Sequence, residues 1–513
     1  MLPYFTYSII HEKRRFVKPL RQKIPKNNRG RKIFELRNIF AENLLTYRIR
    51  YGKVELEIKY KKCEVLIMSS VKIDFSKVIG KIKPVHGVGQ PPLCGRDATM
   101  MRYLSDAGIP YSRLHDVGGA YGGFRWVDVP NIFRDFDADE TLEESYDFTF
   151  TDILITALMD SGIEPYFRLG VTIENDSKIK SYRITPPSDY GKWARICEHI
   201  IRHYTEGWAN GFNYKIEYWE IWNEPDSKPD PLESMMWKGT PEEYFVFYDV
   251  ASKHLKARFP HLKIGGYAAC GFYGIHEEKR NQPENRERFL HYLDFFEKFL
   301  VHTKESGAPL DYFSWHIYDS DMKRVESYIN FVREQLDKYG FTNTESSCNE
   351  WNLDSGERGT FLHAAKTAAA LLLFQNTTVD NAMFYDAKFG SGRYSGIFNP
   401  ETARPYPAYY AFTAFNRLYK LENQVECSVD NDCLFAVAAA KGNKGCLVIA
   451  NTSDAPVSLD FEVNGTQIIA LLTSECKGTA PGALATRDPK CDSAVASISS
   501  IPEYSILTVL YDI

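Results

Sequence analysis

Residues 218–226 read YWEIWNEPD, an apolar and aromatic run that stops at an Asn-Glu-Pro triplet. Such a run is typical of a buried strand, and proline closes it because proline cannot donate to a sheet. A second stretch, SSCNEWNLD at residues 346–354, also contains a glutamate near its end. The two stretches therefore predict two strands that each present a glutamate, Glu224 and Glu350, at the carboxyl end.

Between about residues 80 and 420, short apolar strands alternate with amphipathic helices. The strand candidates are residues 83–89, 111–117, 164–170, 216–225, 263–269, 311–318, 345–352 and 381–387. Eight strand–helix units over this length predict an α/β fold with a (β/α)8 TIM barrel. A doubly wound open sheet would need a glycine-rich phosphate turn after the first strand, and HGVGQPP at residues 86–92 is a poor match.

The predicted helices fill the gaps between these strands. Helical patterns run over residues 190–207, 288–307 and 361–378, and another helix starts at Thr240. There, threonine caps the helix, proline takes the first helical position and Glu243 completes a capping box.

The pattern changes after about residue 421 to short β segments separated by turns. We expect a small accessory β-sandwich over residues 421–513, with Asn464-Gly465 as a hairpin turn. The alternating VKIDFS at residues 71–76 predicts that residues 68–82 add a strand to this domain. The barrel would then occupy residues 83–420.

The first 67 residues differ in composition from the rest. They hold 17 Lys/Arg against 6 Asp/Glu, whereas the remaining chain holds 45 against 61. A basic arm that contacts nucleic acid or anionic lipid is one interpretation. We favour a disordered extension, or a start that in the native protein is Met68, and expect a protein beginning at Met68 to fold and function.

Bulk composition excludes several classes of function. The net charge of −5 implies no polyanionic partner, and no apolar run is long enough to cross a bilayer. The 10 cysteines contain no CxxC pair, so neither a zinc site nor another cofactor is predicted. Without a secretory pattern at the N-terminus, free thiols in the cytoplasm are expected. The oligomeric state is open.

Active sites of TIM barrels lie at the carboxyl ends of the strands, and unusual polar residues of this chain fall there. They are Arg113, His115, Asp116, Arg168, Asn223, Glu224, His316, Tyr318, Glu350, Asp386 and Lys388. Any one of them alone is more often structural than functional. Their convergence at one rim predicts a site.

Two carboxyl groups facing each other across a barrel mouth suit the cleavage of a glycosidic bond. One acid protonates the leaving oxygen, and a carboxylate lies across the anomeric carbon. A separation of about 5–5.5 Å makes that carboxylate a nucleophile and retains configuration. We expect the negative charge of Glu350 to raise the pKa of Glu224 and keep it protonated.

The sequence also resembles a known family. WEIWNEPD at residues 219–226 resembles the acid/base strand of the clan A retaining glycoside hydrolases, and CNEWN at 348–352 resembles their nucleophile strand. With YSRLHDV at 111–117 and WHIYDSD at 315–321, the resemblance is to glycoside hydrolase family 39, the family of β-xylosidases and α-L-iduronidases. It covers about residues 70–513, and the pair of glutamates 126 residues apart makes it specific.

The resemblance implies roles for several of these strand-end residues. Glu224 would be the general acid/base and Glu350 the nucleophile, held in position by Tyr318. Asn223 would bind the sugar 2-hydroxyl. His115 and His316 would hydrogen-bond sugar hydroxyls, and Arg113 would orient the carboxylates from below. Asp386 and Lys388, which follow the eighth strand, are further candidates for substrate binding. Glu345 competes with Glu350 but lies too early in its strand.

The resemblance does not determine which sugar forms the glycone of the substrate. A uronate needs a cationic partner, which Lys388 or Arg393 can supply unless they pair with Asp386. We favour a β-xyloside, with α-L-iduronides, β-glucosides, β-galactosides and arabinosides as alternatives. The loops around residues 118–133 would decide between attack on chain ends and interiors.

Three other classes of function compete with a glycosidase. A carbohydrate-binding protein with an inactive barrel should lack one glutamate, and both are present. A transglycosylase would share all these residues. A metal-dependent hydrolase would need a third ligand beside His115 and His316. We therefore expect an oligosaccharide or glycoside substrate and neither metal, nucleic acid nor membrane as a partner.

Overall fold

The computed structural model describes residues 67–92, 101–117, 127–173, 184–388, 394, 396–474, 491–495 and 498–513, together with the backbone of three earlier strands. The chain divides into two units, Met1–Val65 and Leu66–Ile513. The first unit contains an antiparallel meander of β1 (Leu36–Ala41), β2 (Leu44–Tyr51) and β3 (Val54–Lys61). These strands fall within the predicted basic extension, whose other residues up to position 66 lie outside the described part.

Eight parallel strands close into a barrel in the second unit. They are β5 (Gly87–Gly89), β6 (Tyr111–Leu114), β7 (Glu164–Leu169), β8 (Tyr218–Ile221), β9 (Lys263–Ala269), β10 (Tyr312–Tyr318), β11 (Glu345–Asn352) and β12 (Asn381–Phe384). They pair in chain order, and β12 returns to β5 to close the ring. The predicted TIM barrel is confirmed, with a strand in each of the eight predicted segments.

Helices surround the barrel. Those described are α1 (Met101–Asp106), α2 (Val129–Ile132), α3 (Thr149–Asp160), α4 (Tyr190–Thr205), α5 (Pro241–Arg258), α6 (Glu277–Arg280), α7 (Arg286–Ser306), α8 (Met322–Lys338), α9 (Phe361–Gln375) and α10 (Tyr409–Tyr419). The predicted capping box is present, since Thr240 Oγ1 accepts from the Glu243 N–H and the Glu243 carboxylate accepts from the Thr240 N–H. No helix in the described part combines the length and apolar character needed to span a membrane.

The accessory domain is one curled sheet of nine strands built from both ends of the unit. Its strands are β4 (Ile67–Lys81), β13 (Asn423–Val429), β14 (Leu434–Lys441), β15 (Lys444–Asn451), β16 (Val457–Val463), β17 (Thr466–Thr473), β18 (Ser493–Val495), β19 (Ser500–Ile501) and β20 (Ser505–Asp512). Their order is β18-β17-β20-β15-β14-β13-β4-β16-β19. One face encloses its own apolar core.

The hairpin predicted at Asn464-Gly465 is wrong. β16 pairs with β4 and β19, whereas β17 pairs with β20 and β18, so the two strands joined by this turn are not neighbours. The Asn464 side chain instead binds β4, accepting from the Phe75 N–H at 2.8 Å and donating to Asp74 at 2.9 Å. The turn therefore carries the chain from one part of the curled sheet to another.

Helix α9 lies where the barrel meets the sheet, and 12 of its 15 residues are buried. A helix that is apolar on all sides is expected where both faces are covered. At its carboxyl end, the Lys83 ammonium donates to the carbonyl oxygens of Phe374, Thr377 and Val379 at 2.6–2.8 Å. The segment between β4 and β5 is thereby fastened to the helix.

Candidate active site

Strands β10 and β11 bring three site residues together. His316 pairs in register with Glu350, and Tyr318 follows His316 by two residues on the same face of its strand. The Tyr318 hydroxyl donates to Glu350 Oε1. The predicted contact between this phenol and this carboxylate is therefore present in the structure.

Glu224 faces Glu350 from the end of β8. Its Oε1 lies 2.8 Å from His316 Nδ1, and His316 Nε2 lies 3.7 Å from Glu350 Oε2. One oxygen from each carboxyl group and one ring nitrogen all lie within 4.8 Å of one another. The two glutamates named by the sequence thus share one site.

Arg113 lies beneath the two glutamates and is fully buried. Its Nη1 donates to Glu350 Oε2 at 3.0 Å, its Nη2 to Asn223 Oδ1 at 2.6 Å and its Nε to Glu220 Oε2 at 2.8 Å. The role expected of Arg113, to orient the carboxylates, stays a prediction. Because its oxygen accepts from Arg113, the Asn223 amide group turns its Nδ2 away, and no described residue hydrogen-bonds to that buried atom.

Glu350 and Glu224 differ in their hydrogen-bond donors. Glu350 accepts from a guanidinium and a phenol, which stabilise its charged form, whereas Glu224 contacts a histidine ring. Burial raises the pKa of both carboxyl groups, and that of Glu224 reaches about 7. Glu350 is the group equipped to carry charge, and Glu224 the group equipped to hold a proton.

The expected cause of the Glu224 shift needs correction. The sequence suggested repulsion by Glu350, but desolvation by burial is the largest cause of the raised pKa of Glu224, and Arg113 opposes it. The repulsion between the two carboxyl groups bears on the pKa of Glu350 instead. The sequence could not supply the depth of burial that dominates here.

His316 occupies a different position from the one expected of a sugar-binding histidine. Burial lowers its pKa to about 4, so the ring is neutral, and its Nδ1 is engaged by Glu224. Its buried Nε2 has no hydrogen-bond partner within the described ranges of the chain. The ring links the two carboxyl groups, and binding of a sugar hydroxyl by His316 remains a prediction.

His115 and Asp116 follow β6 at the same rim. His115 Nε2 lies 3.2 Å from Asp116 Oδ1, and its buried Nδ1 has no hydrogen-bond partner among the described residues. Asp116 also accepts from the Ile173 N–H at 3.0 Å and the Tyr385 hydroxyl at 3.2 Å. Arg168, by contrast, is paired with Asp128 at 2.6 Å.

Asp386 and Lys388 follow β12. Asp386 is buried, and its Oδ1 has no hydrogen-bond partner in the part of the chain that the structure describes. Burial raises its pKa to about 7 against the opposing charge of Lys388. Lys388 is half-buried. Arg393, named as a second cation for a uronate, lies outside the described residues, as do residues 118–126 of the loop expected to shape the cleft.

Glu345 lies at the opposite end of the barrel from Glu350. Its carboxylate accepts from Lys263 at 2.6 Å and from the Tyr218 hydroxyl at 2.8 Å, at the amino-terminal ends of their strands. The structure therefore separates the two competing glutamates of β11 and places only Glu350 beside Glu224.

Some residues of the site were missed from the sequence. Glu220, within the opening motif, is fully buried and binds both Arg113 and the Asn349 amide. Gln90 donates to the Tyr385 hydroxyl, and its buried Oε1 has no hydrogen-bond partner among the residues described. A charged residue inside an apolar strand was the available signal for Glu220.

Among the described residues, Glu224, His316 and Glu350 have the spacing to approach a metal ion. Both oxygens of Glu350 already accept from Tyr318 and Arg113, and this favours a carboxylate poised for covalent or proton chemistry over a metal ligand. His115 does not join the group.

The barrel region of this chain is similar to known proteins. The sequence profile of the glycosyl hydrolases family 39 matches residues 100–355, which include β6 to β11. A β-xylosidase of Geobacillus stearothermophilus is 26% identical over 227 residues, covering 41% of this chain and 40% of that protein. The chain thus spans about two fifths of the length of the curated relatives it matches.

Solved structures share the fold at low sequence identity. A glucosidase from Croceicoccus marinus has a TM-score of 0.65 at 20% identity, over 87% of this chain and 99% of that one. A family 39 β-xylosidase from Caulobacter crescentus has a TM-score of 0.60 at 18% identity, over 86% and 100%. With the matched profile spanning the strands that bear Arg113, Glu224 and Glu350, the chain belongs to glycosyl hydrolases family 39.

Proposed function

We propose that this protein is a retaining glycoside hydrolase, a β-xylosidase that acts by double displacement. The observation that carries the proposal is the approach of Glu224 and Glu350, which have oxygens within 4.8 Å of each other beside His316. Retaining enzymes hold their carboxyl groups about 5–5.5 Å apart, whereas inverting enzymes leave about 6.5–9.5 Å for a water molecule.

In the first step, Glu350 attacks the anomeric carbon while the glycosidic bond breaks. Its negative charge is stabilised by Arg113 and Tyr318 until it is used. Glu224 transfers its proton to the leaving oxygen, which departs as an alcohol. The product is a glycosyl ester of Glu350.

In the second step, the ionised Glu224 removes a proton from water, and the resulting hydroxide attacks the anomeric carbon. The ester bond to Glu350 breaks, its carboxylate is restored, and Glu224 is protonated again. Two inversions give a product with the original configuration. The pKa of about 7 for Glu224 suits a group that must serve as both acid and base near neutral pH.

The two buried arginines of the site favour a neutral glycone over a uronate, because both already pair with carboxylates. Arg113 is committed to Glu220 and Glu350, and Arg168 to Asp128. Asp116 and Asp386 add two further carboxyl groups at the rim, with Lys388 beside the second. A xyloside meets these groups as hydrogen-bond partners, and the β-xylosidases among the relatives support the same choice.

The test is hydrolysis of an aryl β-D-xyloside by the purified protein, with the aryl α-L-iduronide and β-D-glucoside beside it. We expect the phenol to be released fastest from the xyloside and not at all by Glu350→Ala. Faster release of the phenol from the iduronide than from the xyloside would overturn the proposal that the glycone is neutral. Binding of xylose without turnover of any glycoside would show a carbohydrate-binding protein instead of an enzyme.

A further inference from the structure

Two contacts fasten the loop that bears Glu224 to the end of β9. The Glu224 N–H donates to the Ala268 carbonyl at 3.1 Å, and the Cys270 N–H lies 3.3 and 3.2 Å from the two carboxyl oxygens of Asp226. Glu224 has a φ of 44°, a left-handed conformation that a non-glycine residue keeps only when its surroundings hold it. Asp226 thus supplies one of two attachments that fix the Glu224 backbone.

Asp226 is fully buried, and no cation of the described residues lies within ion-pair distance of it. Asp128 is equally buried but has a cationic partner. It pairs with Arg168 at 2.6 Å and accepts from the Thr172 N–H at 2.7 Å. A buried carboxylate without such partners is unfavourable. Burial, followed by the charge of Glu224, raises the pKa of Asp226 to about 8.

Among the residues that the structure describes, the groups that face Asp226 are uncharged apart from Glu224. The Cys270 thiol lies within hydrogen-bonding reach of both carboxyl groups, and burial raises its pKa well above the usual value. Three phenols complete the surroundings: Tyr244 of α5, Tyr267 of β9 and Tyr292 of α7. A protonated carboxyl group fits these surroundings better than a charged one.

The charges that face Glu224 come from other elements. They belong to Arg113 of β6, Arg288 of α7 and Glu350 of β11, with the neutral ring of His316 on β10. Asp226 also faces Glu224, which it follows by two residues in the chain. An ionised Asp226 would therefore add a second negative charge directly beside the acid.

We propose that Asp226 is a positioning residue for the acid/base, a neutral carboxylic acid that holds Glu224 in place through Cys270 and keeps extra negative charge away from it. The proposal rests on the proposed function, since it assigns Asp226 to the same site. Asparagine is the matched substitute, because it is uncharged, has the same shape and accepts from the Cys270 N–H. Alanine removes the attachment altogether.

The first test is independent of catalysis. A carboxyl group whose pKa is raised on folding gives full stability below the unfolded value near 4, and that stability is lost as pH rises toward about 8. Asp226→Asn lacks this loss, so its Tm should exceed that of the wild type near pH 8 and approach it near pH 4. Asp128→Asn, the control, should lower the Tm near pH 8 because it leaves Arg168 unpaired. A lower Tm for Asp226→Asn near pH 8 would overturn the proposal.

The second test measures kcat/KM against pH for alkyl and dinitrophenyl β-D-xylosides. The alkaline limb of the Asp226→Asn profile should lie at the same pH as that of the wild type, because the substitution replaces one neutral group with another. Asp226→Ala should lower kcat/KM about 10²-fold for the alkyl xyloside, which needs the proton, and little for the dinitrophenyl xyloside.

Two results would contradict the second prediction. An alkaline limb moved downward by about one pH unit in Asp226→Asn would show that Asp226 is charged in the working enzyme. Equal losses on both substrates in Asp226→Ala would show a structural role alone. If the wild type hydrolyses no glycoside, the proposed function fails, and the Tm comparison still decides the protonation state of Asp226.

Discussion

His316 Nδ1 lies 2.8 Å from Glu224 Oε1, and this contact joins the glutamate at the end of β8 to the histidine ring of β10. The pKa of His316, lowered to about 4 by burial, leaves a neutral ring with one N–H. If Nε2 carries that hydrogen, it faces Glu350 at 3.7 Å, while the Nδ1 lone pair accepts from a protonated Glu224. One tautomer therefore matches both an ionised nucleophile and a protonated acid.

Replacement of the nucleophile should abolish turnover of every substrate. Glu350→Ala removes the group that forms the covalent intermediate, and we expect kcat to fall at least about 10⁴-fold on both activated and unactivated glycosides. Glu345→Ala is the matched control on the same strand, since Glu345 binds Lys263 and Tyr218 at the far end of the barrel. Comparable losses in the two variants would contradict the assignment.

Replacement of the acid should depend on the leaving group. Glu224→Ala should lower kcat/KM about 10²–10⁴-fold for alkyl glycosides and far less for dinitrophenyl glycosides, which leave without a proton. Azide should then accelerate turnover and form a β-glycosyl azide, because a small anion can attack the intermediate without a general base. Equal losses on both leaving groups, or an α-glycosyl azide, would remove Glu224 from this role.

Removal of the phenol that binds the nucleophile should shift the acid limb of the pH profile. Tyr318 stabilises the ionised form of Glu350 and so lowers its pKa. Tyr318→Phe loses this donor, and Glu350 then needs a higher pH to ionise. We expect the acid limb of kcat/KM to move upward and the maximum to fall about 10²-fold. An unmoved acid limb would contradict this coupling.

Stability at the junction of barrel and sheet should depend on Lys83. Its ammonium satisfies three carbonyl oxygens at the end of α9, so Lys83→Met should destabilise the protein by about 1.5–3 kcal/mol. Lys77→Met is the control, because Lys77 makes an exposed ion pair with Glu426 and should leave the Tm unchanged. Thermal unfolding of both variants measures the difference, and equal Tm values would contradict it.

Local signals in the sequence were sufficient to predict the barrel and the two glutamates. Each strand of the barrel is a short apolar run, and Glu224 and Glu350 stand where such a run meets polar residues. The capping box at Thr240 is likewise a feature of four consecutive residues. Features encoded within a few neighbouring residues were predictable.

Contacts between distant residues that the family resemblance did not supply were not predictable. Glu220 matters because Arg113 and Asn349 reach it from other strands, and Asp226 because Cys270 follows another strand. The Asn464-Gly465 pair has the sequence of a hairpin turn, but the curl of the sheet brings β4 beside it instead. In each case the decisive neighbour is far away along the chain.

The stereochemistry of hydrolysis tests the central claim most directly. An aryl β-D-xyloside is mixed with the enzyme, and the anomeric protons of the released xylose are followed by NMR before mutarotation. The approach of Glu224 and Glu350 to within 4.8 Å predicts that the β-anomer appears first. Initial release of the α-anomer would show an inverting reaction and contradict the assignment of Glu350 as a nucleophile.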